Sequence, residues 1–373
     1  MNVAFYAPMK PPDAAVPSGD RQMARMVVAA LRLAGHDVEL AARLRSHDGT
    51  GDAARQARLR ELGTELAARY VSQALLRPTG AQPQIWFTYH LYHKAPDWIG
   101  PRVADALGIP YVVVEASFAP SRQAAGPWRI GHAAVEAALQ RADAVIALNT
   151  ADVECVAPLV QGPGGLTLLP PFIDVAPFQA AAEARGPRMA EPQLLAVGMM
   201  RPGDKRESYR ALGAALADLG DTPWRLTVAG DGPARSDVEA ALKPIADRVR
   251  YLGEQPPEAM PALYAAADLC VWPAVREAYG MSLLEAQASG TPVLAGATGG
   301  VADIVQDGVT GVLVPEGDIA AFAAALRALL ADPARRASLG RAALARTAVR
   351  HSLAAASRHI DGVMAKVVQR RAA

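Results

Sequence analysis

Short apolar runs alternate with longer segments of helical spacing along most of the chain. NVAFY, DVELA, QIWFT, YVVV and AVIAL punctuate the first part, and the stretches between them repeat apolar positions every three or four residues. This is strand–helix punctuation. The runs lack strict apolar–polar alternation, which predicts strands covered on both faces, as in a parallel sheet between helix layers. The rhythm breaks over the Pro- and Ala-rich stretch Asp174 to Glu191, then restarts with QLLAVG, RLTVAG, VRYLG, DLCVW, TPVLAG and GVLV. The expectation is therefore an α/β protein of two doubly wound domains, residues 1–173 and 192–350, joined by a linker over 174–191. Residues 351–373 are expected to form a C-terminal helix packing back on the first domain. From Asp318 to Arg371 the pattern is almost all helix without a repeat of 20 to 50 residues, which excludes a solenoid. Ligands of such sheets bind outside the carboxyl ends of the strands, so the chemistry is expected in a cleft between the two domains.

Composition narrows this picture. With 51% hydrophobic and 20% charged residues among 373, the chain is globular and not a disordered tail. Its 38 basic residues nearly balance 37 acidic ones, so charge gives no reason to expect a nucleic acid partner. Cys155 and Cys270 stand far apart and outside any Cys/His cluster, which argues against a zinc site or a disulfide framework. No apolar run reaches the roughly 18 residues of a membrane span. The start shows neither a basic region nor a cleavage site, and a soluble cytoplasmic protein is expected.

The most informative segment comes after DLCVWP and reads REAYGMSLLEAQASGTPVLAGATGGVADIVQDGVTGVLV. Glu277 precedes a helix expected to start around Gly280 to Ser282, and Glu285 lies within it. The unpaired N–H groups of a helix start carry partial positive charge and suit a phosphate or sugar hydroxyls. A carboxylate before that start can accept hydrogen bonds from a sugar, and one further along can hold a ribose. A glycosidase pair is the other reading of two carboxylates, but eight residues of helix span about 12 Å, and such pairs stand about 5 to 9.5 Å apart. Ordinary surface glutamates remain the bland alternative. GDGP at Gly230 to Pro233 lacks the third glycine of a dinucleotide fingerprint, with Arg235 in its place, so no nicotinamide cofactor is inferred.

The segment resembles the E-x7-E region of family 4 retaining glycosyltransferases, and AGHDVELA, LPPFID, VAGDGP, YAAADLCVWP and SGTPVLAGATGG match the landmarks of that family in order. The resemblance implies a GT-B fold of two facing Rossmann-like domains. It also implies transfer of a sugar from a nucleoside diphosphate donor, UDP- or GDP-linked, to an acceptor hydroxyl with retention, as in a hexosyltransferase. By resemblance Arg201 and Lys205 in VGMMRPGDK grip the diphosphate, whereas the neighbouring Arg206 reads as a solvated charge. Glu277 contacts the transferred sugar, the backbone of Gly280, Met281 and Ser282 meets the donor, and Glu285 holds the ribose. Gly299 and Gly300 are either turn glycines or points of close approach to the ligand.

In the first domain, Gly19 of PSGDRQ takes the position where the family brings backbone near the donor phosphate. Relatives often place a histidine after the fourth strand, where this chain reads YVVVEAS, with Glu115 near that position. His90 and His93 of FTYHLYHK are alternative cleft residues, so Glu277, Glu115 and His90 are the catalytic candidates. No D-x-D motif is present, and neither metal nor other cofactor is expected. A nucleotide-sugar epimerase and a non-catalytic sugar-nucleotide-binding protein are the rival readings. The acceptor is open among a sugar, a lipid-linked molecule and a small molecule. Arg55, Arg58, Arg60 and Arg69 fit either peripheral contact with an anionic membrane or a solvated helix face interleaved with Glu61 and Glu65.

Overall fold

The computed structural model describes residues 1–15, 18–119, 126–162 and 164–372. Its chain divides into two compact units, Met1–Pro170 with Leu353–Ala373, and Pro171–Ser352. Each is built on a six-stranded sheet in which every recorded pairing is parallel.

In the first unit the strands are β1 (Asn2–Tyr6), β2 (Asp37–Leu40), β3 (Ile85–Leu91), β4 (Tyr111–Ala116), β5 (Ala144–Ala147) and β6 (Gly165–Leu168), in the order β2-β1-β3-β4-β5-β6. β4 is buried at all six positions, as its unbroken apolar run predicts for a strand between helix layers. The helix Gly19–Leu33 shows why such segments fold as they do. Ser18 caps it by accepting a hydrogen bond from the Arg21 N–H, and Ala24, Val27, Ala30 and Leu31 form the stripe it buries. Trp86, Tyr111, Val113 and Val145 lie in the core of this unit.

The second unit contains β7 (Gln193–Val197), β8 (Arg225–Ala229), β9 (Val249–Gly253), β10 (Leu269–Trp272), β11 (Val293–Ala297) and β12 (Gly311–Pro315), in the order β12-β11-β10-β7-β8-β9. Trp224, Trp272, Tyr209 and Tyr264 are fully buried in or against its core.

Two expectations need correction. The opening segment of the first unit runs to Pro170 and not to 173. Residues 174–191 are no free linker, because they contain the helix Ala176–Glu183, which packs on the helix Met260–Ala266 through Phe178 and Tyr264, ring centroids 6.2 Å apart. The last helix, Leu353–Ala372, belongs to the first unit, where Asp361 pairs with His36 at 3.2 Å and Arg371 with Asp143 at 3.0 Å. The chain returns through a seam: His351 Nδ1 donates to Pro171 O at 2.7 Å, and Ile173 N donates to His351 O at 2.9 Å. Among the described residues, no helix is long and apolar enough to cross a membrane.

Candidate active site

In an open parallel sheet the crevice for a ligand lies where the strand order reverses, outside the carboxyl ends. That point falls between β7 and β10 in the second sheet and between β1 and β3 in the first. Both places carry charged pairs.

Lys205 lies in the first turn of the helix Asp204–Ala217, which comes after β7, and Glu277 lies in the loop after β10. The loop is tied to that helix: Val275 N donates to Ser208 Oγ at 3.0 Å, and Arg276 Nε donates to Asp204 Oδ1 at 2.7 Å. Ala274 (φ 57°) and Arg276 (φ 45°) both adopt left-handed backbone there. Such strain costs roughly 1–3 kcal/mol per residue and persists only where the surroundings hold it. The result is that Glu277 Oε2 receives two donors, Lys205 Nζ at 2.5 Å and Trp272 Nε1 at 3.1 Å, with the Lys205 ammonium 5.3 Å from the centre of the Trp272 ring.

Glu277 precedes the helix Met281–Ala288, whose N-cap is Gly280 in the left-handed region (φ 73°). Met281 and Ser282 open that helix half-buried, so their unpaired N–H groups stand beside the Glu277 loop. Glu285 lies on its second turn and accepts a hydrogen bond from Tyr264 OH at 2.7 Å. Burial raises the Glu285 carboxyl above its usual value, and the Tyr264 bond opposes this only in part. Gly299 is required where it stands: at φ 49°, a side-chain carbon would lie 2.1 Å from Glu277 O. Gly300 packs under the same loop.

Arg201 is exposed, and it lines a pocket of about 380 Å³ with Gly198, Gly230, Gly232, Glu254 and Gln255 at the carboxyl ends of β7, β8 and β9. GDGP thus forms one wall of a pocket of ligand size. Arg206, expected to be a solvated charge, instead lies in the helix Asp204–Ala217 and pairs with Glu207 at 3.2 Å and Asp237 at 3.3 Å.

In the first unit, His90 is next to last in β3 and Glu115 next to last in β4, both with left-handed backbone (φ 64° and 59°). His90 lies within the strand, not after it. Its Nδ1 stands 3.0 Å from Asp20 Oδ1 and 3.9 Å from Glu115 Oε1. Burial works against the charged imidazole, yet Glu115, Asp20 and Asp152 outweigh it and raise the His90 pKa above its ordinary value. The Asp20 carboxyl is lowered in turn, chiefly by its hydrogen bond to His90. Asp152 is raised, burial first, with Glu115 adding to it. His93 turns elsewhere, its ring 5.8 Å from Trp128 and 6.5 Å from His132. Gly19 is the first residue of its helix, and an added side-chain carbon would meet nothing within 4 Å, so packing does not demand glycine there. Pro17 of the same motif lies outside the described residues.

Sequence reasoning did not find Asp20, Asp152, Trp272 or Tyr264. Asp20 adjoins Gly19 within the motif already singled out, and Trp272 closes DLCVW. Tyr264 opens the landmark YAAADLCVWP, though nothing in that motif pairs it with Glu285, and Asp152 carries no local signal because it meets its partners only through the fold.

A family model described as Glycosyl transferases group 1 matches residues 191–332, the span that holds Arg201, Lys205, Glu277 and Glu285. Over that span the chain is similar to the group 1 glycosyl transferases. A D-inositol 3-phosphate glycosyltransferase of Geodermatophilus obscurus is 33% identical over 296 residues, covering 73% of this chain and 65% of that protein. Two other such enzymes are matched over 25% and 44% of their own length, so the chain spans less than two-thirds of the curated relatives it matches. Among solved structures, sucrose-phosphate synthase from Thermosynechococcus elongatus superposes with a TM-score of 0.68 at 24% identity, covering 99% of each chain. Anabaena HepE in complex with UDP-glucose superposes with a TM-score of 0.66 at 18% identity, covering 98% of this chain and 99% of that one. These likenesses establish the GT-B fold for this chain. Among the described residues, no group of three or more His, Cys, Asp or Glu side chains is arranged to hold a metal ion.

Proposed function

We propose that this chain is a group 1 glycosyl transferase and moves a hexose from a nucleoside diphosphate sugar to an acceptor hydroxyl, with retention at the anomeric carbon. The observation that carries the reading is the Lys205–Glu277–Trp272 cluster at the reversal point of the second sheet, beside the helix that carries Glu285. A compact ammonium beside a helix start suits a diphosphate. The adjacent carboxylate suits the hydroxyls of the sugar joined to it, and Glu285, with one oxygen taken by Tyr264, keeps the other for a ribose. Arg201 and the pocket beside it receive the rest of the nucleotide. UDP is the first donor nucleotide to test, because HepE was solved with UDP-glucose.

In the reaction the bond from the anomeric carbon to the diphosphate oxygen breaks, and a bond to the acceptor oxygen forms on the same face. The departing phosphate oxygen takes the acceptor's proton, so no protein nucleophile is needed. Lys205, Arg201 and the helix start at Met281 stabilise the charge that develops on the leaving diphosphate, and no metal is assigned a role. The first unit serves the acceptor, with His90 and Glu115 holding its hydroxyls and Asp20 orienting the imidazole. The reaction is placed in the cytoplasm, which fractionation of the host cell tests. The deciding experiment incubates the protein with UDP-, GDP- and ADP-sugars and an acceptor panel, with and without EDTA. Release of nucleoside diphosphate that tracks a glycosylated product and survives EDTA is expected. An isomerised nucleotide sugar formed without acceptor would establish an epimerase instead, and activity lost in EDTA and restored by Mg²⁺ would overturn the metal-free mechanism.

A further inference from the structure

β2 is the last strand of the first sheet and pairs with β1 along one side only. Against it runs the helix Gly19–Leu33, whose buried stripe is Ala24, Val27, Ala30 and Leu31. Beside that stripe, Val28, Ala29 and Leu33 form a second apolar line that the fold leaves partly uncovered. Val28 and Ala29 are half-buried, and Leu33 is 57% exposed. These three line a cavity of about 750 Å³ together with Phe5, Val38 and Leu40 of the sheet. The volume falls within the roughly 300–1,000 Å³ of small-molecule sites. Every described residue lining it belongs to the first unit. The cavity lies on the β2 side of β1, whereas the reversal point and His90 lie on the β3 side.

The walls are apolar, but the rim is charged, and unevenly so. Arg25, Arg32 and Arg43 line the cavity with Asp13. Asp13 is taken by Arg43, whose Nε donates to its Oδ2 at 2.6 Å. The other two guanidiniums spend their recorded hydrogen bonds on backbone: Arg25 Nε donates to Pro12 O at 2.8 Å, and Arg32 Nη2 to Val38 O at 3.4 Å. A guanidinium carries five N–H donors, so each keeps most of them for another partner. Arg25 and Arg32 stand two turns apart on one face of the helix, and their alkyl stems carry the apolar wall up to the charged heads.

A ligand that satisfies both parts has an apolar body and one anionic end. A carboxylate meets a guanidinium fork with two parallel hydrogen bonds. A neutral amphiphile would leave the guanidiniums unmatched, and a short polar anion would leave the apolar walls in water.

We propose that this cavity binds a free long-chain fatty acid, with the chain between the helix Gly19–Leu33 and β2 and the carboxylate on Arg25 and Arg32. Such a ligand covers Leu33 and ties to the sheet the helix that carries Asp20, so its binding stabilises the folded chain. The site stands apart from the transfer chemistry and does not depend on the glycosyltransferase reading.

The test titrates the full chain with octanoate, decanoate and dodecanoate by calorimetry, below their micelle-forming concentrations, and with dodecyltrimethylammonium as the cation of equal chain length. One dodecanoate per chain is expected, with affinity rising about fourfold per added methylene, and the cation is not bound. V28W fills the cavity, and the double variant R25Q/R32Q removes the partners of the carboxylate. Each should weaken dodecanoate about tenfold or more, while R60Q, an exposed cation on the helix Ala53–Leu75, leaves it unchanged. If V28W does not fold, R25Q/R32Q decides alone, because both of its side chains are on exposed residues. Absence of dodecanoate binding overturns the proposal, as does equal affinity in wild type and R25Q/R32Q. Equal binding of the cation, or displacement of dodecanoate by UDP, overturns it too.

Discussion

Replacing Glu277 by Gln separates two jobs that one carboxylate performs. In the free protein, Glu277 Oε2 is shared by Lys205 Nζ and Trp272 Nε1. A Gln at this position keeps a carbonyl oxygen for Trp272 but removes the charge that holds Lys205. The ammonium is then free to meet an incoming diphosphate, so affinity for free UDP is expected to stay within about threefold or to tighten. Turnover should fall, because a hydrogen bond to a charged group is worth about 1.5–3 kcal/mol, roughly ten- to a hundredfold, and the sugar hydroxyls lose that partner. Glu285→Gln should behave in the opposite sense. Its carboxylate already holds Tyr264 OH at 2.7 Å, and in the proposed binding mode it also meets a ribose common to donor and UDP, so affinity for both should drop by about the same factor. Calorimetry with UDP, paired with initial rates of UDP release at saturating donor, reads both quantities. If E277Q weakens UDP as much as E285Q does, the division of the donor between the two carboxylates is refuted.

Lys205→Ala should weaken UDP about tenfold or more, since it removes the ammonium held beside that helix start; unchanged calorimetric affinity in a folded variant would move the diphosphate elsewhere. Gly299→Ala places a methyl group 2.1 Å from the Glu277 carbonyl at a left-handed position. It should lower stability by about 1–3 kcal/mol and depress turnover together, and a thermal shift near zero would contradict the packing. Burial pushes the His351 imidazole down to about 4. A histidine lowered in this way favours the folded state fully above its unfolded value, about 6.5, and that contribution drains away as pH falls from there toward 4, by about 3 kcal/mol in all. Urea unfolding at pH 7 and pH 4.5 should show the loss, and His351→Gln should flatten it.

The strands were legible because apolar runs such as YVVV and LCVW are buried on both faces, so no alternation is needed to recognise them. β6 escaped because GLTL is four residues long, half-buried throughout, and opens on a glycine in the left-handed region. The helix Ala176–Glu183 escaped because it has no fully buried residue and therefore no apolar stripe to read. At the site, Glu277, Glu285 and Lys205 were legible through motif spacing. Their partners Trp272 and Tyr264 stand in the landmark YAAADLCVWP, but the motif does not say which carboxylate each one meets. Asp20 illustrates the same limit: its neighbour Gly19 marked the segment, but only the strand order brings it to His90, 70 residues along the chain.

The division of the chain also bears on the order in which it is made. The second unit is one uninterrupted stretch, whereas the first is assembled from its opening 170 residues and a closing helix. During synthesis an N-terminal domain ordinarily folds ahead of later ones. Here the helix Gly19–Leu33 waits for Leu353–Ala372, and Asp143 and His36 wait for Arg371 and Asp361, which are made only after the second unit. The unit begun first is therefore finished second. A gene fragment covering 171–352 takes the second unit whole, whereas one ending at Pro170 leaves the first unit without its closing helix.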